Sequence, residues 1–316
     1  MNLQTQIPLK PETYNPIDYK SKLFLLGSCF VENIGNKLSY FKFQNTLNPI
    51  GILFHPKSIE ALITNAINEK EYTEEDVFFQ NEQWHCFDAH SKLSSSSKED
   101  LLDSLNAQIR LTNQQVNEST HIIITLGTAW IYRFIETDTY VANCHKVPQK
   151  KFLKELLSVD EIETSLQAII SLIKSINSKA TIVFTVSPIR HIKDGFLENT
   201  QSKAHLISAI HKIVEPREFL HYFPSYEIMM DELRDYRFYA EDMLHPNTTA
   251  INYIWNKFKC AWITPEIYNT MDEVETIQKG LSHKPFNPNA PAHQQFLQNL
   301  ENKKKSLQSK HGIIFY

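Results

Sequence analysis

The chain has 316 residues, 42% hydrophobic and 22% charged, with a formal net charge of −4. That length can bury a large core in one domain, or one domain with an appendage. The small acidic excess has the wrong sign for a nucleic-acid footprint, and no run of about 18 apolar residues is present to cross a membrane. The opening stretch, MNLQTQIPLKPETY, lacks a basic segment followed by an apolar one. No secretory signal is therefore expected, and the chain reads as cytoplasmic. Cys29, Cys86, Cys144 and Cys260 form no CxxC pair, so reduced thiols are expected and no metal site.

In chain order, residues 23–26 (LFLL) read as a buried strand and residues 31–41 as the helix after it. Amphipathic helices are expected at 58–67 and 99–111, the second after a serine run with an N-cap at Ser96 or Ser97. Residues 122–126 (IIITL) and 181–186 (TIVFTV) are short, β-rich apolar runs, as strands covered on both faces should be. Between them, 159–176 has apolar positions three and four apart and acids in its first turn, the pattern of a helix. Further helices are expected at 202–214 and 247–262, with a weaker strand at 219–224. This alternation predicts an α/β fold: a three-layer α/β/α sandwich with a central parallel sheet. Residues 1–282 are expected to form that domain. Residues 283–316, which open on a Pro/Asn stretch and become lysine-rich, are expected to form a partly helical appendage.

In such sheets a site lies beyond the carboxyl ends of the strands, so the residues just past each strand are informative. After the first comes Gly27-Ser28-Cys29-Phe30, after the second Gly127-Thr128-Ala129-Trp130, and after the third Ser187-Pro188-Ile189-Arg190-His191. Ser28 sits where a strand turns into a helix, and Gly27 frees the turn from a Cβ clash. The helix end offers free N–H groups to a developing oxyanion. A plain N-cap serine would show the same pattern. A serine nucleophile also needs a base and an orienter. Asp242-Met243-Leu244-His245 supplies both, because a spacing of three on a tight turn lets the carboxylate reach the imidazole.

A Gly-Ser block after the first strand and a DxxH block before a late helix resemble the order of SGNH, or GDSL-like, hydrolases. The segment Gly27-Ser28-Cys29-Phe30-Val31 is similar to the signature of the GSCFA family, with Val in the last place. So are Asn48-Pro49-Ile50-Gly51-Ile52-Leu53, Leu126-Gly127-Thr128-Ala129-Trp130, Asn143-Cys144-His145-Lys146-Val147-Pro148, the 187–191 segment and Asp242-Met243-Leu244-His245-Pro246. The resemblance implies Ser28 as nucleophile, His245 as base and Asp242 as its orienter. It implies an oxyanion hole from the Ser28 and Gly51 N–H groups. The third SGNH block normally carries an Asn, absent from Gly127-Thr128-Ala129. Asn48 or Thr128 would have to stand in.

The implied activity is hydrolysis of a small-molecule or glycan ester, foremost an O-acetyl carbohydrate, without cofactor, nucleic acid or membrane. An O-acyltransferase would use the same acyl-enzyme, and a non-catalytic binding protein could keep the same fold. His145, Arg190 and His191 are candidate substrate contacts. Arg190 suits a carboxylate or phosphate, unless it pairs with Asp194. Cys29, as a rival nucleophile, is expected to point into the core.

Overall fold

The structure, a computed structural model, describes residues 4–214 and 218–315. Five parallel strands form the central sheet: β1 (Lys22–Gly27), β2 (Gln44–Leu47), β3 (His121–Leu126), β4 (Thr181–Val186) and β5 (Leu220–Phe223). Their spatial order is β2-β1-β3-β4-β5. Helices α1 (Cys29–Tyr40), α2 (Pro56–Ile67), α3 (Lys98–Glu118), α4 (Val159–Ile176), α5 (Phe196–Val214), α6 (Thr248–Trp262), α7 (Tyr268–Ser282) and α8 (Pro291–His311) flank it.

Strand periodicity explains the layers. Side chains alternate across a sheet, so Phe24 and Leu26 enter one core while Leu23 and Leu25 enter the other. β3 and β4 are buried at every position, which is why they read as unbroken apolar runs. Helices α2, α3, α4 and α5 cover the first face, and α1, α6, α7 and α8 the second. The expected α/β/α sandwich is what the chain builds.

Local signals set the helix ends. Ser97 caps α3 by accepting the Asp100 N–H at 3.1 Å. Ser158 and Glu161 close a capping box on α4, which spans the expected 159–176. In α8, Leu300 and Leu307 are buried in the second core. A Cβ on Gly280 of α7 would meet Leu300 at 2.7 Å, so that glycine lets the two helices close up.

Several elements leave no mark in the sequence pattern. β2 is a four-residue edge strand, QNTL, with no apolar run to reveal it. Antiparallel strands Trp130–Phe134, Thr139–Val141 and Phe152–Leu156 form a separate three-stranded sheet, and Phe78–Gln80 pairs with Gln83–His85.

From β1 the chain moves outward to β2, then crosses to β3 on the other side of β1. This reversal makes the carboxyl ends of β1 and β3 the crevice of the sheet. The turn leaving β1 is unusually tight. Gly27 has φ +128°, and a Cβ there would lie 2.1 Å from the Thr125 carbonyl oxygen. Only glycine fits both the angle and the approach.

Candidate functional site

The β1–α1 turn brings two adjacent side chains to the crevice and aims them differently. Ser28 is extended (φ −68°, ψ 168°) and donates its N–H to the Thr125 oxygen at 3.0 Å, so the strand pattern runs one residue further. Its side chain turns inward and is fully buried. Its Oγ has no hydrogen-bond partner among the described residues. Gly127 makes room for it: a Cβ there would sit 3.2 Å from Ser28 Cβ. Cys29 opens α1 and is partly exposed. Its Sγ lies 4.0 Å from His245 Nε2. Cys29 packs on the second core, as expected, yet its sulfur also reaches the imidazole, which was not expected. Cys29 faces the imidazole, because the helix starts at this residue and swings its side chain away from the strand's pleat.

The imidazole stands on an exposed loop before α6. Asp242 Oδ1 accepts the N–H groups of Leu244 (2.9 Å) and His245 (3.0 Å), while its Oδ2 meets His245 Nδ1 at 2.6 Å. This Asx-type turn puts Met243 at φ +58°. The His245 N–H, then the Leu244 N–H, then the imidazole hold the Asp242 carboxyl down to about 2. A carboxylate on Nδ1 fixes that nitrogen as the donor and leaves Nε2 free to accept a proton. The loop is tied down at both ends. Ala240 N–H donates to the His245 oxygen at 2.7 Å, and Arg190 N–H to the Leu244 oxygen at 3.3 Å. Asn247 then caps α6 through the Ala250 N–H at 3.1 Å.

The expected oxyanion donors divide. The Ser28 N–H is spent on Thr125, and the Gly51 N–H closes a turn on the Asn48 oxygen at 2.8 Å. Thr128 Oγ1 is held by Ser202 Oγ at 3.0 Å and accepts the Trp130 N–H at 3.0 Å. None of these three is free. Asn48 is different. Its Oδ1 accepts the Gly27 N–H at 2.9 Å, which fixes the amide orientation beside the β1–α1 turn. Its Nδ2 is buried and has no partner among the described residues. Burial, then Glu32, raise the Cys29 thiol, and the opening N–H groups of α1, those of Cys29 and Phe30, act to lower it.

Among the candidate substrate contacts, His145 is corrected to a structural role. It is buried, with Nε2 on the Cys86 oxygen at 2.8 Å and Nδ1 near Ser91 Oγ at 3.5 Å, so neither nitrogen is open to a ligand. Burial pushes it down to about 4. His191 packs edge-on to Phe54, and burial pushes it down to about 3, so it is neutral; its Nε2 is buried without a partner among the described residues. Arg190 does not pair with Asp194, which is bound by Lys154. Its Nε is buried without a partner among the described residues. Its Nη1 touches the Met230 sulfur at 3.9 Å, with Tyr239 alongside.

One residue that no sequence pattern singles out lies beneath the crevice. Lys203 of α5 is 1% exposed, and its Nζ donates to the Gly127 and Ser187 oxygens at 2.7 Å each. It clamps the ends of β3 and β4 together. Burial lowers it to about 7. A lysine on a helix ordinarily reads as solvated, and nothing in the local pattern marks this one.

A cavity of about 330 Å³ opens beside the dyad, with Arg190, Phe196, Met230, Tyr236, Tyr239 and Asp242 in its wall. No group of three His, Cys, Asp or Glu side chains among the described residues converges as a metal site. No helix among the described residues is long and apolar enough to cross a membrane.

The sequence model of the GSCFA family matches residues 22–258, and that of the GSCFA domain protein, C-terminal domain, matches residues 274–314. The chain is similar to a solved carbohydrate esterase family 3 protein from Talaromyces cellulolyticus at 8% identity and a TM-score of 0.36, over 80% of this chain and 99% of that one. It is also similar to a mutant acetyl esterase solved with acetate ion, at 10% identity and a TM-score of 0.31, over 80% and 99% respectively. No curated protein matches.

Proposed function

The chain belongs to the GSCFA family, and on that premise we propose that it hydrolyses an ester through a covalent acyl-enzyme. The observation that carries this reading is the Asp242–His245 pair, bonded at 2.6 Å and turned toward the first turn of α1. A carboxylate-oriented imidazole facing a nucleophile is the working core of acyl-transfer sites on unrelated folds.

His245 Nε2 takes the nucleophile's proton as it attacks the ester carbonyl. Asp242 keeps the imidazole oriented and offsets the positive charge it acquires. The oxyanion is received by Asn48 Nδ2 and the opening N–H groups of α1, whose helix dipole favours negative charge. His245 then gives the proton to the departing alcohol. Water, deprotonated by the same imidazole, releases the acid.

The substrate class we assign is an acylated carbohydrate, foremost an O-acetyl sugar, as the resemblance to SGNH enzymes implies. Exposed Phe196 and Tyr236 beside the cavity offer faces for a sugar ring. Arg190, without a carboxylate partner among the described residues, suits an anionic group on that sugar. Transfer to a sugar hydroxyl would use the same intermediate. The half-exposed His245 side chain favours water as the acceptor.

The test is acetate release from p-nitrophenyl acetate and from neutral and uronic-acid-bearing acetylated oligosaccharides. Turnover by the wild type that is lost in His245→Ala and Asp242→Asn is the expected result. A folded wild type that neither releases acetate nor forms an acyl adduct overturns the reading.

A further inference from the structure

We propose that the nucleophile is the thiol of Cys29, and that the covalent intermediate is a thioester. The inference deepens the acyl-transfer reading above and rests on it for its substrate. Its basis is geometric. Ser28 and Cys29 are consecutive, one ending a strand pattern and the other opening a helix, so only one side chain can face His245. That one is Cys29, with Sγ 4.0 Å from Nε2. Ser28 Oγ is buried, without a hydrogen bond to any described residue.

The surroundings of Cys29 suit the chemistry. It opens α1, whose first N–H groups have no intrahelical acceptor. The Asn48 amide beside the turn has a buried donor without a partner among the described residues. These are the groups an oxyanion on the attacked carbonyl would need. Burial, and then the charge of Glu32, raise the thiol above its ordinary value. Cys29 therefore favours its thiol form before attack, and its proton moves to His245 Nε2 only as the bond to carbon forms.

The steps balance without a further reagent. The Sγ–H proton passes to His245 Nε2 while sulfur forms a bond to the carbonyl carbon. The tetrahedral adduct collapses, the carbon–oxygen bond to the alcohol breaks, and the alkoxide leaves with the proton from His245. Water then adds to the thioester, giving its proton to Nε2. The carbon–sulfur bond breaks, and sulfur recovers the proton.

The experiment uses the full chain. Wild type, Cys29→Ala, Cys29→Ser, Ser28→Ala and His245→Ala are acid-quenched during p-nitrophenyl acetate turnover, and the acetyl adduct is located by mass spectrometry. Iodoacetamide alkylation of Cys29 is timed separately, with unfolding midpoints checked for each variant. The expected adduct is on Cys29, survives in Ser28→Ala, is absent from Cys29→Ala and is cleaved by neutral hydroxylamine, which attacks thioesters readily. Alkylation should slow about tenfold or more in His245→Ala, because the thiolate is the reactive form. An adduct on Ser28 that persists in Cys29→Ala overturns the thiol inference and leaves the esterase reading standing. No turnover, with alkylation that still depends on His245, keeps the activated thiol and removes the ester reading. No turnover and His245-independent alkylation overturns both.

Discussion

The two halves of the site are built in opposite ways. The proposed base stands on a surface loop, where Asp242 and His245 are each about half exposed and hold one another through local bonds within four residues. The turn that carries the proposed nucleophile is interior and non-local. Gly27 is pressed against β3, and Asn48 reaches in from beyond β2. In the proposed base loop both Asp242 oxygens are engaged by local donors. Around the turn, Ser28 Oγ, Asn48 Nδ2 and His191 Nε2 are all buried without partners among the described residues. Buried polar atoms left without partners are costly. Their concentration at one crevice is what supports placing the proposed site there.

The contrast predicts a split between activity and stability. His245→Ala should lower kcat/KM by about 100- to 10,000-fold, the usual range for a general base. It should change the unfolding free energy by under about 0.5 kcal/mol, as surface substitutions do. Kinetics and urea unfolding on one preparation check both. A large stability loss would show that the loop is a structural element after all.

Asn48→Asp probes the interior half. It keeps an oxygen for the Gly27 N–H and replaces the Nδ2 donor with a second carboxyl oxygen. Activity should fall by about 100- to 1000-fold, the loss typical of one oxyanion donor. Because the new carboxyl is buried, stability should fall too, by about 1–3 kcal/mol. Unchanged kcat with reduced stability would remove Asn48 from the site while leaving it in the fold.

The same contrast explains what the sequence could reveal. The base half is legible because its bonds are local: DxxH followed by Pro and Asn is a turn whose geometry spacing dictates. The strands β1, β3 and β4 are legible because burial on both faces leaves unbroken apolar runs. The interior half is only partly legible. Gly27-Ser28-Cys29 marks the turn, but which of two neighbouring side chains faces His245 depends on where the strand pattern stops. That point is set by the Ser28 bond to Thr125, nearly a hundred residues away. Gly51 and Thr128 are expected as donors from the family resemblance; the Gly51 N–H is taken by a local turn on Asn48, while the Thr128 bond to Ser202, 74 residues away, is a tertiary fact. β2 is invisible because a short polar edge strand has no periodic signal.

Arg190 joins the halves, lying just beyond β4 while its N–H holds the base loop at Leu244. The backbone bond survives substitution of the side chain. Arg190→Leu should therefore leave kcat on neutral acetylated sugars unchanged within about twofold. It should raise KM for uronic-acid-bearing ones by about 10- to 100-fold, the range for a lost charged hydrogen bond. Equal losses on both substrates would show that Arg190 positions the loop and does not bind an anion.

Lys203 gives the smallest effect and the most specific sign. Its amine needs two donors for the Gly127 and Ser187 oxygens, and a neutral amine has two. Burial lowers it from 10.5 to about 7. Between those values the unfolded chain binds a proton that the folded chain does not, so this group makes stability rise with pH across that window. Below about 7 both states are protonated, the slope vanishes, and the cost of the buried charge is fully present. Lys203→Met removes the titration and leaves two carbonyls without their donor, a penalty that does not vary with pH. The unfolding free energy of wild type minus that of Lys203→Met should therefore grow from pH 7 to pH 10 in urea titrations, although other groups titrate in both proteins. A constant difference would mean that the amine stays charged in the folded protein. The strand ends beneath the nucleophile would then carry a permanent positive charge, which would draw the Cys29 thiol toward its thiolate and reduce its dependence on His245.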